Sequence, residues 1–257
     1  MDDKFWRTGI SKVEPNQIEV RGYEITELIN KASFGDAVFL LLSGEWPRRR
    51  EGRLMEAILV SCCDHSLVAP STDATRLVAS GGVPLPTAVA AGILAVGDNH
   101  GGAIERCAAI LHEALPPEEG DQAAAAARIV KSIRDKGERF PGFGHPMHQE
   151  DPRVEALFQM AAELGLITRW VPFARQIEAA LESEVGRRLP MNVDGAIAAL
   201  LLEMELDWRA GKALFLLSRA AGLSAHYLEQ VTKEPPFKSA GYQDIDYNGP
   251  ASRKIPE

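Results

Sequence analysis

The chain has 257 residues, 25% of them charged and 46% apolar, and a formal net charge of −8. That is enough chain to bury a core in one large domain or two modest ones. The acidic balance argues against a broad nucleic-acid surface, which needs a basic excess, but leaves room for a local basic pocket.

The opening MDDKFWRTGI is acidic and polar, so no secretory signal is expected there. In chain order, NQIEVRGYEI reads as strand–turn–strand with Arg21-Gly22 as the turn. Ile25 to Leu42 then carries apolar residues at helical spacing, from Ile25, Leu28 and Ile29 through Val38, Leu41 and Leu42. Arg50 to Cys63, Pro86 to Val96, Gly102 to Leu115 and Ala123 to Asp135 follow the same period. So do Arg153 to Leu164, Val171 to Val185, Val193 to Leu206 and Trp208 to Val231. The most apolar stretch, Val83 to Gly97, is interrupted by Pro84 and Pro86 and is too short to span a bilayer, so it reads as a buried helix. Gly and Pro punctuate the series at Trp46-Pro47, Gly81-Gly82, Pro116-Pro117, Pro141-Gly142 and Pro235-Pro236. Strands do not alternate with helices, so the expected class is all-α. From Glu234 the chain becomes richer in Pro, Gly and polar residues and reads as an irregular tail. Cys62, Cys63 and Cys107 form neither a CxxC pair nor an even set, which points to reduced thiols in a cytoplasmic setting. The Cys and His spacings fit no zinc pattern, so no metal site is expected.

Four stretches carry chemistry. In CCDHSLVAPST, His65 follows an apolar helix and suits either a helix-end contact or a donor aimed into a cleft. In GDNHGGAIE, His100 precedes two glycines and a helix start, where backbone approaches a ligand closely and negative charge is favoured. A neutral histidine there can donate to a developing enolate oxygen. In RFPGFGHPMHQEDPR, Pro141, Gly142, Phe143 and Gly144 make a stiff, side-chain-poor loop that frames His145, and Arg153 can grip a carboxylate with two hydrogen bonds. In LPMNVDGAIAALLLEM, Asn192 and Asp194 look like helix-capping chemistry. Asp194 also precedes a very apolar helix, and a partly desolvated carboxylate can serve as a base.

Taken in order, DH, NHGGA, PGFGH with DPR, NVDG and SRAAGLSAHYLEQ resemble the citrate synthase superfamily, and the resemblance runs from VRGYEITELINKASFGDAVFLLLSGEWP nearly to Gln230. The short length, NVDG in place of a synthase-like NVDFYSG, and the AHYLEQ…YQDIDY ending resemble its citryl-CoA lyase branch, which includes the C-terminal module of ATP-citrate lyase.

The resemblance implies an all-α fold with a large helical domain, residues 1–103 and 206–257, and a smaller one, 104–205, inserted into it. It matches His100, His145 and Asp194 to the catalytic groups and His65, Arg153 and Arg219 to the substrate-binding groups. Pro141 to Gly144 match the backbone that lines the coenzyme A site. The implied activity is cleavage of citryl-CoA, or a close analogue, to acetyl-CoA and oxaloacetate. The partners are then an acyl-CoA and a 2-oxo or hydroxy acid, with no tightly bound cofactor, no nucleic acid and no membrane, in a homo-oligomer of at least two chains. Two alternatives stand beside it: a citrate synthase-type enzyme that also hydrolyses the thioester, and a non-catalytic helical module that binds acyl-CoA. Two departures are visible. Pro146 replaces a residue that is basic in many relatives, and TKEPPFKSAGY lacks the arginine with which synthases reach a second carboxylate, leaving Lys233 or Lys238 as point-charge substitutes.

Overall fold

The structure is a computed structural model that describes residues 5–48, 50–116, 120–144 and 150–256. It opens with a small antiparallel sheet of β1 (Ser11–Glu14), β2 (Gln17–Val20) and β3 (Tyr23–Glu24), in register Ser11↔Val20 and Val20↔Tyr23. The expected Arg21-Gly22 turn is there, with positive φ at both residues, as a tight hairpin requires. β1 is an addition to the two-stranded reading; its residues are all exposed and give no alternation to detect.

Everything that follows is helical, with eleven α-helices among the described residues. The single helix expected over Ile25 to Leu42 is two, α1 (Ile25–Lys31) and α2 (Phe34–Ser43). Ser33 breaks it. Its hydroxyl accepts from the Asp36 N–H at 3.1 Å while the Asp36 carboxylate accepts from the Ser33 N–H at 2.9 Å, a reciprocal cap that restarts the helix. Then come α3 (Glu51–Cys62), α4 (Pro70–Ser80), α5 (Leu85–Leu94), α6 (Ala103–Ala114) and α7 (Gln122–Asp135). They are followed by α8 (Pro152–Glu163), α9 (Trp170–Val185), α10 (Val193–Glu203) and α11 (Gly211–Lys233). No described helix is long and apolar enough to cross a membrane.

The sequence pattern misses α4 entirely. Its buried residues are Ser71, Thr72, Thr75, Arg76, Ala79 and Ser80, so an apolar period never appears. These small hydroxyl side chains let α5 come close: a Cβ on Gly92 would lie 2.0 Å from Thr75 Oγ1. The helix expected to be buried around Val83 to Gly97 is half-exposed. Only Ala88 and Gly92 are buried in α5, and Leu94 is 84% exposed.

The main core runs from α2 and α3 through α6 to α10, with α10 at its centre: every residue of α10 except Asp194 is buried. Glu203 at its far end is buried too, and its carboxylate accepts from the Trp170 and Val171 N–H groups, both at 2.9 Å, so it caps α9 from a neighbouring helix. α10 is thereby pinned at its C-terminal end, which fixes where its N-terminal end, carrying Asp194, comes to rest.

Candidate active site

A cleft of about 480 Å³ gathers residues distant in sequence: His65, His100, Arg153, Asp194 and Arg219 all line it, together with Cys62 and Phe215. Five of the six side chains expected to be catalytic or substrate-binding therefore meet in one place. The sixth, His145, lies outside the described residues, as does Pro146.

Asp194 sits in the first turn of α10. Asn192 is the cap of that helix, its side-chain oxygen accepting from the Asp194 and Gly195 N–H groups at 3.0 and 3.3 Å. The capping role thus belongs to Asn192 and leaves the Asp194 carboxylate for the cleft. Burial raises that carboxyl from 3.8 to about 6, with Arg153 and Arg219 pulling down and Asp151 pushing up. No hydrogen bond contributes among the described residues. A carboxyl in this condition exchanges protons near neutrality, as an acid–base group must.

His100 faces it from a short turn that closes on itself through the Gly97 and His100 backbone groups. His100 Nε2 lies 2.8 Å from the Ser71 hydroxyl of α4. With Ser71 donating, Nε2 carries no proton and Nδ1 does, leaving an N–H donor for a ligand. Burial, and then the charge of Arg219, lower the His100 pKa, which favours the neutral ring. Ser71 escaped the sequence reading because α4 did.

Arg219 is 4% exposed, lies over the Phe215 ring at 4.8 Å, and donates from Nε to the Cys62 carbonyl at 3.0 Å. Its Nη1 is buried and has no partner among the described residues. Burial lowers its pKa below the ordinary arginine value. A buried cation with an unused donor is costly unless a ligand completes it. Arg153 differs. Its Nε and Nη2 are bound to the Asp151 carboxylate at 2.9 and 2.8 Å. Lys233 and Lys238 are not among the residues lining the cleft.

The Pro141 to Gly144 loop is locked onto the segment leading into α10. Asn192 N–H donates to the Gly142 carbonyl at 3.0 Å, Asn192 Nδ2 to the Gly144 carbonyl at 2.9 Å, and Gly144 N–H to the Pro190 carbonyl at 2.7 Å. Gly142 has φ of +84°, and a Cβ there would lie 2.7 Å from Gly195 Cα, so only glycine fits. Beyond the loop a second cavity of about 720 Å³ is lined by Arg134, Arg139, Phe143, Gly144 and Arg187 among others.

The protein is mostly helical, and one cleft joins a carboxyl raised toward neutrality, a histidine and a buried arginine with an unused donor. Comparison with known proteins places the chain in a family. Residues 47–238 match the family described as "Citrate synthase, C-terminal domain", three quarters of the chain, and the chain belongs to the citrate synthase family. Its fold superposes on the citryl-CoA lyase of Hydrogenobacter thermophilus with a TM-score of 0.91 and 39% identity, covering 98% of both chains. It is 28% identical over 230 residues to ATP-citrate synthase beta chain protein 1 of Arabidopsis thaliana, covering 83% of this chain and 37% of that one. It is also 33% identical over 210 residues to the putative citrate synthase 2 of Mycobacterium tuberculosis, covering 79% of this chain and 54% of that one. The chain therefore spans about a third to a half of the length of these last two relatives.

Proposed function

We propose that this protein is an enzyme acting on coenzyme A thioesters, and that it cleaves citryl-CoA to acetyl-CoA and oxaloacetate. The observation that carries the reading is Arg219: a buried guanidinium with an unused donor, in the same cleft as the Asp194 carboxyl and His100. Full-length similarity to a citryl-CoA lyase supports the choice of reaction.

In this reading the substrate carboxylate binds between Arg219 and Arg153. His145, assigned on the PGFGH motif alone, takes the proton of the tertiary hydroxyl. The carbon–carbon bond breaks, its oxygen-bearing half becomes the ketone of oxaloacetate, and the bonding electrons move into the thioester as an enolate. The Nδ1–H of His100 stabilises the enolate oxygen. Protonated Asp194 delivers a proton to the methylene carbon, giving acetyl-CoA. Two protons move and one bond breaks, so the step calls for no redox cofactor. The second cavity, with Arg134, Arg139 and Arg187 around the Phe143-Gly144 backbone, supports binding of the coenzyme's phosphates. The proposal keeps residues 104–205 as a smaller domain that closes over the cleft to exclude water. A homo-oligomer of at least two chains belongs to the same reading.

The test is incubation with synthetic citryl-CoA and mass spectrometry of the products. Acetyl-CoA and oxaloacetate are expected. Free citrate plus coenzyme A would replace the lyase with a hydrolysing synthase, and tight coenzyme A binding without turnover of any CoA ester would reduce the chain to a binding module.

A further inference from the structure

Asp151 is 5% exposed, and its two oxygens accept four hydrogen bonds from two elements. It caps α8 through the Arg153 N–H at 3.1 Å. It clasps the Arg153 guanidinium side-on through Nε at 2.9 Å and Nη2 at 2.8 Å. It also accepts from the Val193 N–H at 3.0 Å, the first-turn donor of α10 that Asn192 does not reach. Burial alone would raise this carboxyl, but the Arg153 and Val193 hydrogen bonds outweigh it and hold it below its ordinary value.

We propose, resting on the functional reading above, that Asp151 is a positioning residue that sets the substrate-gripping Arg153 and the proton-carrying Asp194 in one frame. The geometry of Arg153 supports this. Nε and one N–H of Nη2 go to Asp151, and one N–H of Nη1 reaches the Ser61 carbonyl at 3.3 Å. A guanidinium has five N–H donors, so one remains on each terminal nitrogen for a ligand. A helix cap alone needs only a neutral acceptor. A full carboxylate adds something else: it neutralises Arg153 next to Asp194. The charged and titratable groups around Asp194 are Asp151 and Arg153 at the start of α8, Arg219 on α11, Cys62 on α3 and Cys107 on α6, with His65 and His100 in the cleft wall. Of these, Arg153 lowers and Asp151 raises the proton affinity of Asp194, so Asp151 offsets part of the pull of Arg153, and burial is the largest influence.

The experiment measures two things in Asp151→Asn. One is the titration of Asp194, followed by infrared difference spectroscopy against Asp194→Asn. The other is citryl-CoA turnover, alone and combined with Arg153→Gln. The Asp194 midpoint should move below its starting value of about 6. kcat/KM should fall roughly ten- to a hundredfold, the scale of a charge-assisted hydrogen bond. In the Arg153→Gln background, Asp151→Asn should cost less than about a further threefold, because the two act through one another. Arg153→Gln alone should move the midpoint upward, since it leaves Asp151 uncompensated, and this holds the test open if Asp151→Asn does not fold. An unmoved midpoint in either variant, with loss of thermal stability only, overturns the proposal and leaves Asp151 a structural cap. If the wild-type chain cleaves no citryl-CoA, the functional reading fails, while the titration, which needs no turnover, still decides the role of Asp151.

Discussion

Asp194→Asn should separate stability from function and show them opposed. The carboxyl is raised from 3.8 to about 6, chiefly by burial. Each pKa unit corresponds to 1.36 kcal/mol, so ionising this group inside the fold costs up to about 3 kcal/mol. The sign follows from the direction of the shift. The folded state holds the proton more tightly than the unfolded chain, so the associated stability is fully present below the unfolded value of 3.8 and is lost as pH rises through about 6. Asparagine has nearly the same shape and cannot ionise. The variant should therefore nearly match the wild type at pH 4 and be more stable at pH 8, by roughly 5–10 °C in thermal midpoint for a chain of this size. Calorimetry from pH 4 to 8 reads the stability, and citryl-CoA turnover under the same conditions reads the function, which should drop at least about a hundredfold. A thermal gap that is constant with pH, or a variant less stable at pH 8, would show that the carboxylate is not desolvated in the fold. Retained turnover would remove Asp194 from the chemistry.

Ser71→Ala should leave the protein folded but free the His100 ring to take either tautomer, lowering kcat on the order of tenfold with little change in KM; unchanged kcat would detach α4 from catalysis. Arg219→Leu should weaken binding of the carboxylate-bearing product by about 2–3 kcal/mol, the scale of a charged hydrogen bond, with coenzyme A affinity unchanged by calorimetric titration. Equal loss of both would place Arg219 wrongly. Replacing the distal carboxylate of citryl-CoA with a methyl group should reduce kcat/KM by less than about a thousandfold, roughly 4 kcal/mol, because Arg153 and Arg219 are both assigned to the other carboxylate and the tail lysines do not line the cleft. A steeper preference would reveal a cation supplied from outside this cleft.

Helical periodicity announced most of the helices, because most bury an apolar stripe. It failed where the buried stripe is polar, as in α4, and where a side-chain cap restarts a helix without Gly or Pro, as at Ser33. The site was legible through motif order rather than through any single residue. DH, NHGG, DPR, NVDG and SR lie far apart in the chain, and only their combination points to one cleft, which the structure then brings together. What that order could not supply is partnership. In the sequence Asp151 is only the first residue of DPR, and nothing in that motif says that its carboxylate reaches Val193, 42 residues on. Nor does NVDG say that Asn192, rather than Asp194, does the capping. The Asp151–Val193 contact is set by the packing of α8 against α10 and exists only once the chain has folded.

The polar burial in α4 links the fold to the chemistry. Burying Ser71, Thr72 and Thr75 forgoes the apolar transfer energy that leucine or valine would contribute there. The gain is twofold. Thr75 turns its hydroxyl back to the Ser71 carbonyl at 3.0 Å, so its polar group is satisfied within the helix and its small volume lets Gly92 of α5 come into contact. That close approach keeps the α4–α5 pair compact. Ser71, one turn earlier on the same face, spends its hydroxyl on His100 rather than on its own helix. An apolar side chain in place of Ser71 would leave His100 without its hydrogen-bond partner on α4. The stretch that gives the weakest folding signal in the sequence is thus the one that supplies a side chain to the cleft, and exchanging Ser71 for an apolar residue would weaken the site it supports.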